Sequence, residues 1–319
     1  MNPPAMTKDT AIVGNLMRSW GLALALVAIG TVLAFAHPGF LTVPNLLNVA
    51  RQISINGILA VGVTLVLLTG GVDLSLGSVV ALAGVVAASM AHPDQYPLVV
   101  PIGLGVAAGA LCGATNGLLV TRGRVPSFIA TLGMMTAARG LALVVANGRP
   151  VSNLSRDFTW LGGDVGGVPI PALVLVGLAL ATSLVLNKFR LGRHLYAVGG
   201  NAEAARAAGI NVGAIQLFAY TACGALAGVA GVVLAARITT GQPNAGVGYE
   251  LDAIAAVVIG GTSLSGGVGR VGGTILGALL VGVINNGLDL MNVSSYYQAI
   301  VKGVIIVGAV WLDRNREKS

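Results

Sequence analysis

Six ionisable side chains lie within or against stretches that are otherwise apolar: Asp73 in GGVDLS, Arg139, Glu250, Asp252, Asp289 and Lys302. A charge inside a membrane is expensive and marks a functional position by default. A carboxylate near mid-depth would suit proton or sodium coupling, and Asp73 is the strongest candidate for that chemistry. Asp73 has a competing role, because its carboxylate can accept amide hydrogen bonds at the start of a helix beginning near Leu74. Arg139 and Lys302 are candidate pairing partners for these acids. Uncharged polar groups also interrupt the apolar runs: Asn56, Thr64, Thr131, Asn285 and Asn286. They can hold helices together or line a passage for a neutral polyol, and the first role is the simpler.

Other chemistries are poorly supplied. The chain has no Gly-Lys dipeptide, so it has no phosphate-cradling P-loop and is not expected to hydrolyse ATP itself. Transport would be powered by a partner ATPase or an ion gradient, or be passive. His37, His92 and His194 lie far apart with no metal-ligand spacing, and no metal site is expected. Cys112 and Cys223 sit inside apolar runs, as packing residues do. No nucleophile–base pair is visible, so no catalytic residue and no cofactor of the chain's own is expected.

The elements that carry these residues are membrane spans. The chain has 319 residues, 55% of them hydrophobic and only 9% charged, with mean hydropathy +0.87. A soluble domain would be roughly a quarter charged. The pattern predicts an all-α, polytopic transmembrane bundle of about ten spans. They fall near 20–36, 45–69, 75–91, 97–120, 126–147, 169–187, 214–236, 249–261, 272–290 and 295–312. The run at 249–261 is short enough to stop before crossing. Arg18 and Ala34-Phe35-Ala36 imitate a secretory signal, but a retained first span serves a polytopic protein better. With the N-terminus inside, twelve Lys and Arg fall in cytoplasmic segments and four outside, namely Arg51, Arg149, Arg156 and Arg237. Residues 1–19 then form a cytoplasmic segment, 20–312 the transmembrane domain and 313–319 a basic cytoplasmic tail. The basic residues lie between spans, where orientation signals belong, and nucleic acid is not an expected partner. The outer loop from Gly148 to Gly167 offers a landing surface for an external partner.

Two stretches resemble each other, at 58–84 and 251–279. Each has an apolar span, a Gly-Gly, a short polar piece with Leu-Ser, and a second Gly-rich span. Duplicated broken helices of this kind line cavities in transporters. Gly70, Gly71, Asp73, Ser75, Glu250, Asp252, Gly260, Gly261, Thr262 and Ser263 are accordingly the candidate path or gate residues.

One polar island, 188–213, holds Lys188, Arg190, Arg193, Glu203 and Arg206. Asn201 can cap a helix whose first turn carries Glu203, AEAARAAG favours helix, and Gly209 supplies a stop. The expectation is one exposed helix of about two turns, a handle for a soluble partner.

Glu203-Ala204-Ala205, three residues, then Gly209 matches the EAA-x-x-x-G pattern of bacterial ABC importer permeases. GGVDLSLGS, FIATLGMMTAARGLALVVANGRPV, GRHLYAVGGNAEAARAAGINV, GYELDAIAAVVIGGTSLSGGVGR and NNGLDLMNVSSYYQAIVKGVIIVGAVWLD resemble the ribose/xylose/arabinose/galactoside branch, nearest the ribose type. The resemblance runs from about Phe40 to Asp313. It implies a homodimeric permease in the bacterial inner membrane, both termini cytoplasmic. A cytoplasmic ATPase would bind ATP and Mg, and a periplasmic binding protein would deliver a monosaccharide. It also implies that the island docks on the ATPase through Asn201, Glu203, Ala204, Ala205, Arg206 and Gly209. A branched-chain amino-acid permease or an ion-coupled carrier are the alternatives.

Overall fold

The structure, a computed structural model, describes residues 8–316. Residues 1–7 of the expected cytoplasmic N-terminal segment and 317–319 of the expected basic tail lie outside the described residues. Among the described residues the regular elements are helices apart from one hairpin of two-residue strands, β1 (Asp164–Val165) with β2 (Val168–Pro169). Six described helices are long and apolar enough to cross a membrane. They are α2 (Val43–Leu68), α4 (Val99–Thr121), α5 (Ser127–Val145), α7 (Ile170–Lys188), α10 (Val212–Arg237) and α12 (Val271–Leu290). Around them lie α1 (Lys8–Ala36), α3 (Leu76–Ser89), α6 (Arg156–Trp160), α8 (Arg190–Gly200), α9 (Ala202–Ala207), α11 (Tyr249–Ile259) and α13 (Ser295–Arg316). The expected tail at 313–319 therefore begins as the last turn of α13.

Helix α2 is the central post: from Ile53 to Leu68 every residue is buried. Helices α7, α10, α11 and α12 pack around it, and α4 joins α10 through small residues. A Cβ on Gly109 would strike the Gly224 carbonyl and, at 2.7 Å, the Gly228 Cα. A Cβ on Gly113 would lie 3.0 Å from the Gly224 Cα. Backbones this close gain dispersion that bulkier side chains would forbid. Cys112 and Cys223 are free and buried; Cys223 lies against Gly62, 3.2 Å from where its Cβ would be.

The loops segregate to two faces. On one, Gly267 N donates to Leu68 O at 3.0 Å, Tyr196 OH to Gly269 O at 2.9 Å and Val72 N to Ser127 Oγ at 3.4 Å. This face collects 69–75, 121–126, 188–211 and 260–270. On the other, Ser155 N donates to Ala91 O at 2.6 Å, Val151 bridges Gly241 and Arg51 pairs with Asp164. The expected outer loop from Gly148 to Gly167 thus contains α6 and the first strand of the hairpin.

Two helices packed within the bundle, α3 and α11, are too short to cross alone. Helix α3 has 14 residues and α11 has 11, or about 21 and 16 Å at 1.5 Å per residue, against a hydrocarbon core of about 30 Å. The chain before α11 makes up the difference as irregular backbone. Gly241 lies against Ala88 and Val85, and Gly246 against Gly77. Residues 241–246 therefore descend along α3 for about 12 Å, eight residues of helix rise.

Candidate functional site

The island folds as two helices where the sequence suggested one. Helix α8 is strongly amphipathic, with Gly192, Leu195 and Val198 buried; α9 follows after Asn201. The Asn201 side chain accepts from Ala204 N at 2.9 Å. Gly209 (φ +82°) ends α9, with Gly209 N donating to Arg206 O and Ile210 N to Ala205 O, both at 3.0 Å. Glu203, Ala204, Arg206 and Gly209 are exposed, whereas Ala205 is buried. The Ala205 methyl thus anchors α9 from within, and the outward face is carried by Glu203, Ala204 and Arg206. Beneath α9, a Cβ on Gly199 would collide with Leu68 O and Gly267 N, so α8 rests directly on both Gly-rich turns. Burial pushes the Tyr196 phenol above its ordinary pKa, opposed by nearby Arg270.

Helices α2 and α11 stop in the same way. Gly70 N donates to Leu67 O and Gly71 N to Val66 O; Gly261 N donates to Val258 O and Thr262 N to Val257 O. Gly70 and Gly261 take positive φ, +75° and +98°. This is the Schellman arrangement, where a left-handed residue lets two amides meet the last carbonyls. Gly70 thus corresponds to Gly261, not Gly260, one residue away from what identity of the Gly-Gly pairs suggests.

After the first turn the chain dips inward. Asp73 is 1% exposed and its Oδ1 accepts from Ser75 N at 2.9 Å and Ser75 Oγ at 2.6 Å. Asn116 on α4 donates to Ser75 Oγ at 3.1 Å, and Tyr220 OH donates to Val72 O at 3.3 Å. Asp73 therefore holds the entry to α3, which begins at Leu76 and not near Leu74. Asn116 escaped the sequence reading; its signal was a single Asn in an apolar run, ATNGLL. In the second turn Thr262 is fully buried against Gly269. Ser263 accepts from Ser265 N at 3.2 Å and its amide donates to Val268 O at 2.9 Å.

Glu250 and Asp252 belong to a different neighbourhood. Glu250 Oε1 accepts from Gly248 N at 3.3 Å, and its carboxylate lies against Gly77. Asp252 Oδ2 accepts from Lys302 Nζ of α13 at 2.8 Å, and from Asn56 and Asn285 Nδ2 at 3.5 Å each. The expected pairing of Lys302 with an acid is present. Arg139 instead donates to two carbonyls, Pro243 O at 2.6 Å and Ala245 O at 2.7 Å. Those carbonyls lie in the irregular stretch before α11, which no water inside a bilayer would satisfy. Among the uncharged polar residues, Asn45 and Asn286 exchange amide bonds at 3.0 and 2.9 Å. Thr64 meets Thr274 at 2.8 Å, and Thr131 bonds back within its own helix. Among the described residues no cluster could hold a metal ion.

Six apolar helices long enough to cross a membrane, the Lys302–Asp252 pair set among the helices and a capped amphipathic handle on one face define a multi-pass membrane protein. The chain belongs to the family described as branched-chain amino acid transport system / permease component, whose model matches residues 45–310. It is 48% identical over 299 residues to the ribose import permease protein RbsC of Escherichia coli K12, covering 92% of this chain and 93% of that one. It is 45% identical to the RbsC of Bacillus subtilis, covering 95% and 94%. It is 39% identical to the D-allose transport system permease protein AlsC of Escherichia coli K12, covering 86% and 85%. No solved structure matches the chain.

Proposed function

We propose that this protein is the membrane-embedded subunit of an ATP-driven importer that carries ribose or a related pentose or hexose. The observation that carries the reading is 48% identity to a ribose import permease across 92% of the chain. The protein is a transport component; ATP and Mg belong to a separate cytoplasmic ATPase, and a periplasmic binding protein delivers the sugar. Two copies form the membrane unit in the bacterial inner membrane, with about ten spans per copy and both termini cytoplasmic.

On this reading the face carrying α8 and α9 is cytoplasmic, in keeping with its basic residues. Asn201 sets the start of α9, while Glu203, Ala204, Arg206 and Gly209 meet the ATPase. Contact of Gly199 with both Gly-rich turns supports a route by which movement of α8–α9 reaches α2, α3, α11 and α12. Partner contacts must differ between the inward- and outward-facing states for ATP to drive that movement. The matching ends of α2 and α11 support an internal duplication. Gly70, Gly71, Asp73, Ser75, Gly260, Gly261, Thr262 and Ser263 act as gate elements at the cytoplasmic end, with Glu250 and Asp252 deeper on the path.

The test is uptake of labelled sugars into vesicles containing the permease, with and without ATPase, binding protein and ATP. Import of ribose only when all three are present is expected; import driven by an ion gradient alone would overturn the reading.

A further inference from the structure

We propose that Asp252, Asn56, Asn285 and Lys302 form a hydroxyl-binding contact for the cargo at mid-depth in the bundle. The inference rests on the sugar-import reading and deepens it.

Depth comes first. Asn56 is twelve residues from Leu68 and thirteen from Val43 at the ends of α2, so it sits about 18–20 Å from either end. The cluster around it joins four helices, α2, α11, α12 and α13.

The hydrogen bonding is incomplete in a way that the Asn45–Asn286 pair between α2 and α12 is not. Asn45 and Asn286 satisfy each other reciprocally, donor to acceptor in both directions. Asn56 does not close in this way. Its Nδ2 faces the Asp252 carboxylate, which fixes the orientation of the amide. Its Oδ1 is then left buried with no partner, although the residue is only 8% exposed. An orphaned buried acceptor costs free energy unless something donates to it. Both amide bonds to Asp252 Oδ2 are long, at 3.5 Å, and readily exchanged for a hydroxyl.

The chemistry selects the ligand. A carboxylate and an amide oxygen accept, while an ammonium and two amide NH2 groups donate; a polyol hydroxyl does both. Asp252 and Lys302 balance in formal charge, so the cluster carries no net charge that would select a cation or an anion. Lys302 keeps 32% of its side chain exposed beside an almost buried Asp252, which leaves an approach from the α13 side. Loose contacts suit a transport path, where the cargo must leave as well as enter.

The experiment compares D-ribose with its 2-, 3- and 5-deoxy analogues in vesicles holding the assembled complex, supplied with saturating sugar-loaded binding protein. Preferences of the binding protein cancel in the variant-to-wild-type ratio. Asn56→Leu is expected to slow D-ribose turnover about tenfold while slowing at least one deoxy analogue less than about twofold, because that analogue never made the contact. Asn56→Ala gives the same comparison without added bulk if the leucine variant fails to assemble. Equal slowing of all four sugars, or no slowing of any, would overturn the proposal and leave the cluster a helix-joining device. A wild-type complex that imports none of these sugars would overturn the import reading and this proposal together.

Discussion

Gly199 and Leu68 touch so closely that a Cβ on Gly199 would enter the Leu68 carbonyl. The same Leu68 carbonyl accepts from Gly267 N at 3.0 Å. The end of α8, the end of α2 and the loop after α11 therefore meet at one point. Motion of the surface helices cannot leave the Gly-rich turns behind.

Gly199→Val should disrupt that junction. Overpacking costs about 1–3 kcal/mol, read as a lower melting temperature of the solubilised permease and lost uptake. Gly200→Ala is the control, since its Cβ would meet nothing within 4 Å and should leave both unchanged.

Gly209 poses a different problem. Space around it is open, but its φ is +82°, which disfavours a side chain by about 1–2 kcal/mol. Gly209→Glu should deform the α9 terminus and leave the spans folded. ATP hydrolysis by the assembled complex should persist while sugar uptake falls; full coupling would remove α9 from ATPase docking.

Arg139→Met strands the Pro243 and Ala245 carbonyls. Charged hydrogen bonds contribute about 1.5–3 kcal/mol each, so thermal stability should fall clearly. Arg139→Lys should recover part of it, because one ammonium can still donate. Equal melting of both variants with wild type would show that the irregular segment stands without Arg139.

Asp73→Ala removes the acceptor that joins Ser75 to the start of α3. Uptake should fall with ATPase binding intact, measured as co-purification of the two subunits. Unchanged uptake would take Asp73 out of the gate.

The sequence by itself determined the membrane class, because long uncharged runs have no alternative solvent. It determined the Asn201 cap and the Gly209 stop too, since both are local: a side chain reaching its own helix, and a residue free to take positive φ. The shortness of α11 was legible from the brevity of the apolar run between Asp252 and Gly260. Only the tertiary structure decided which charges meet. Arg139 and Pro243 are 104 residues apart, and Lys302 and Asp252 are 50 apart. Nothing local distinguishes an arginine that seeks a carboxylate from one that satisfies stranded carbonyls. The one-residue offset between Gly70 and Gly261 was equally hidden, because identical Gly-Gly pairs align by letter while hydrogen bonding aligns by which glycine turns left-handed. The partner of Asn56 belongs to the same class: its amide orientation is set by Asp252, 196 residues away, and only packing brings the two together.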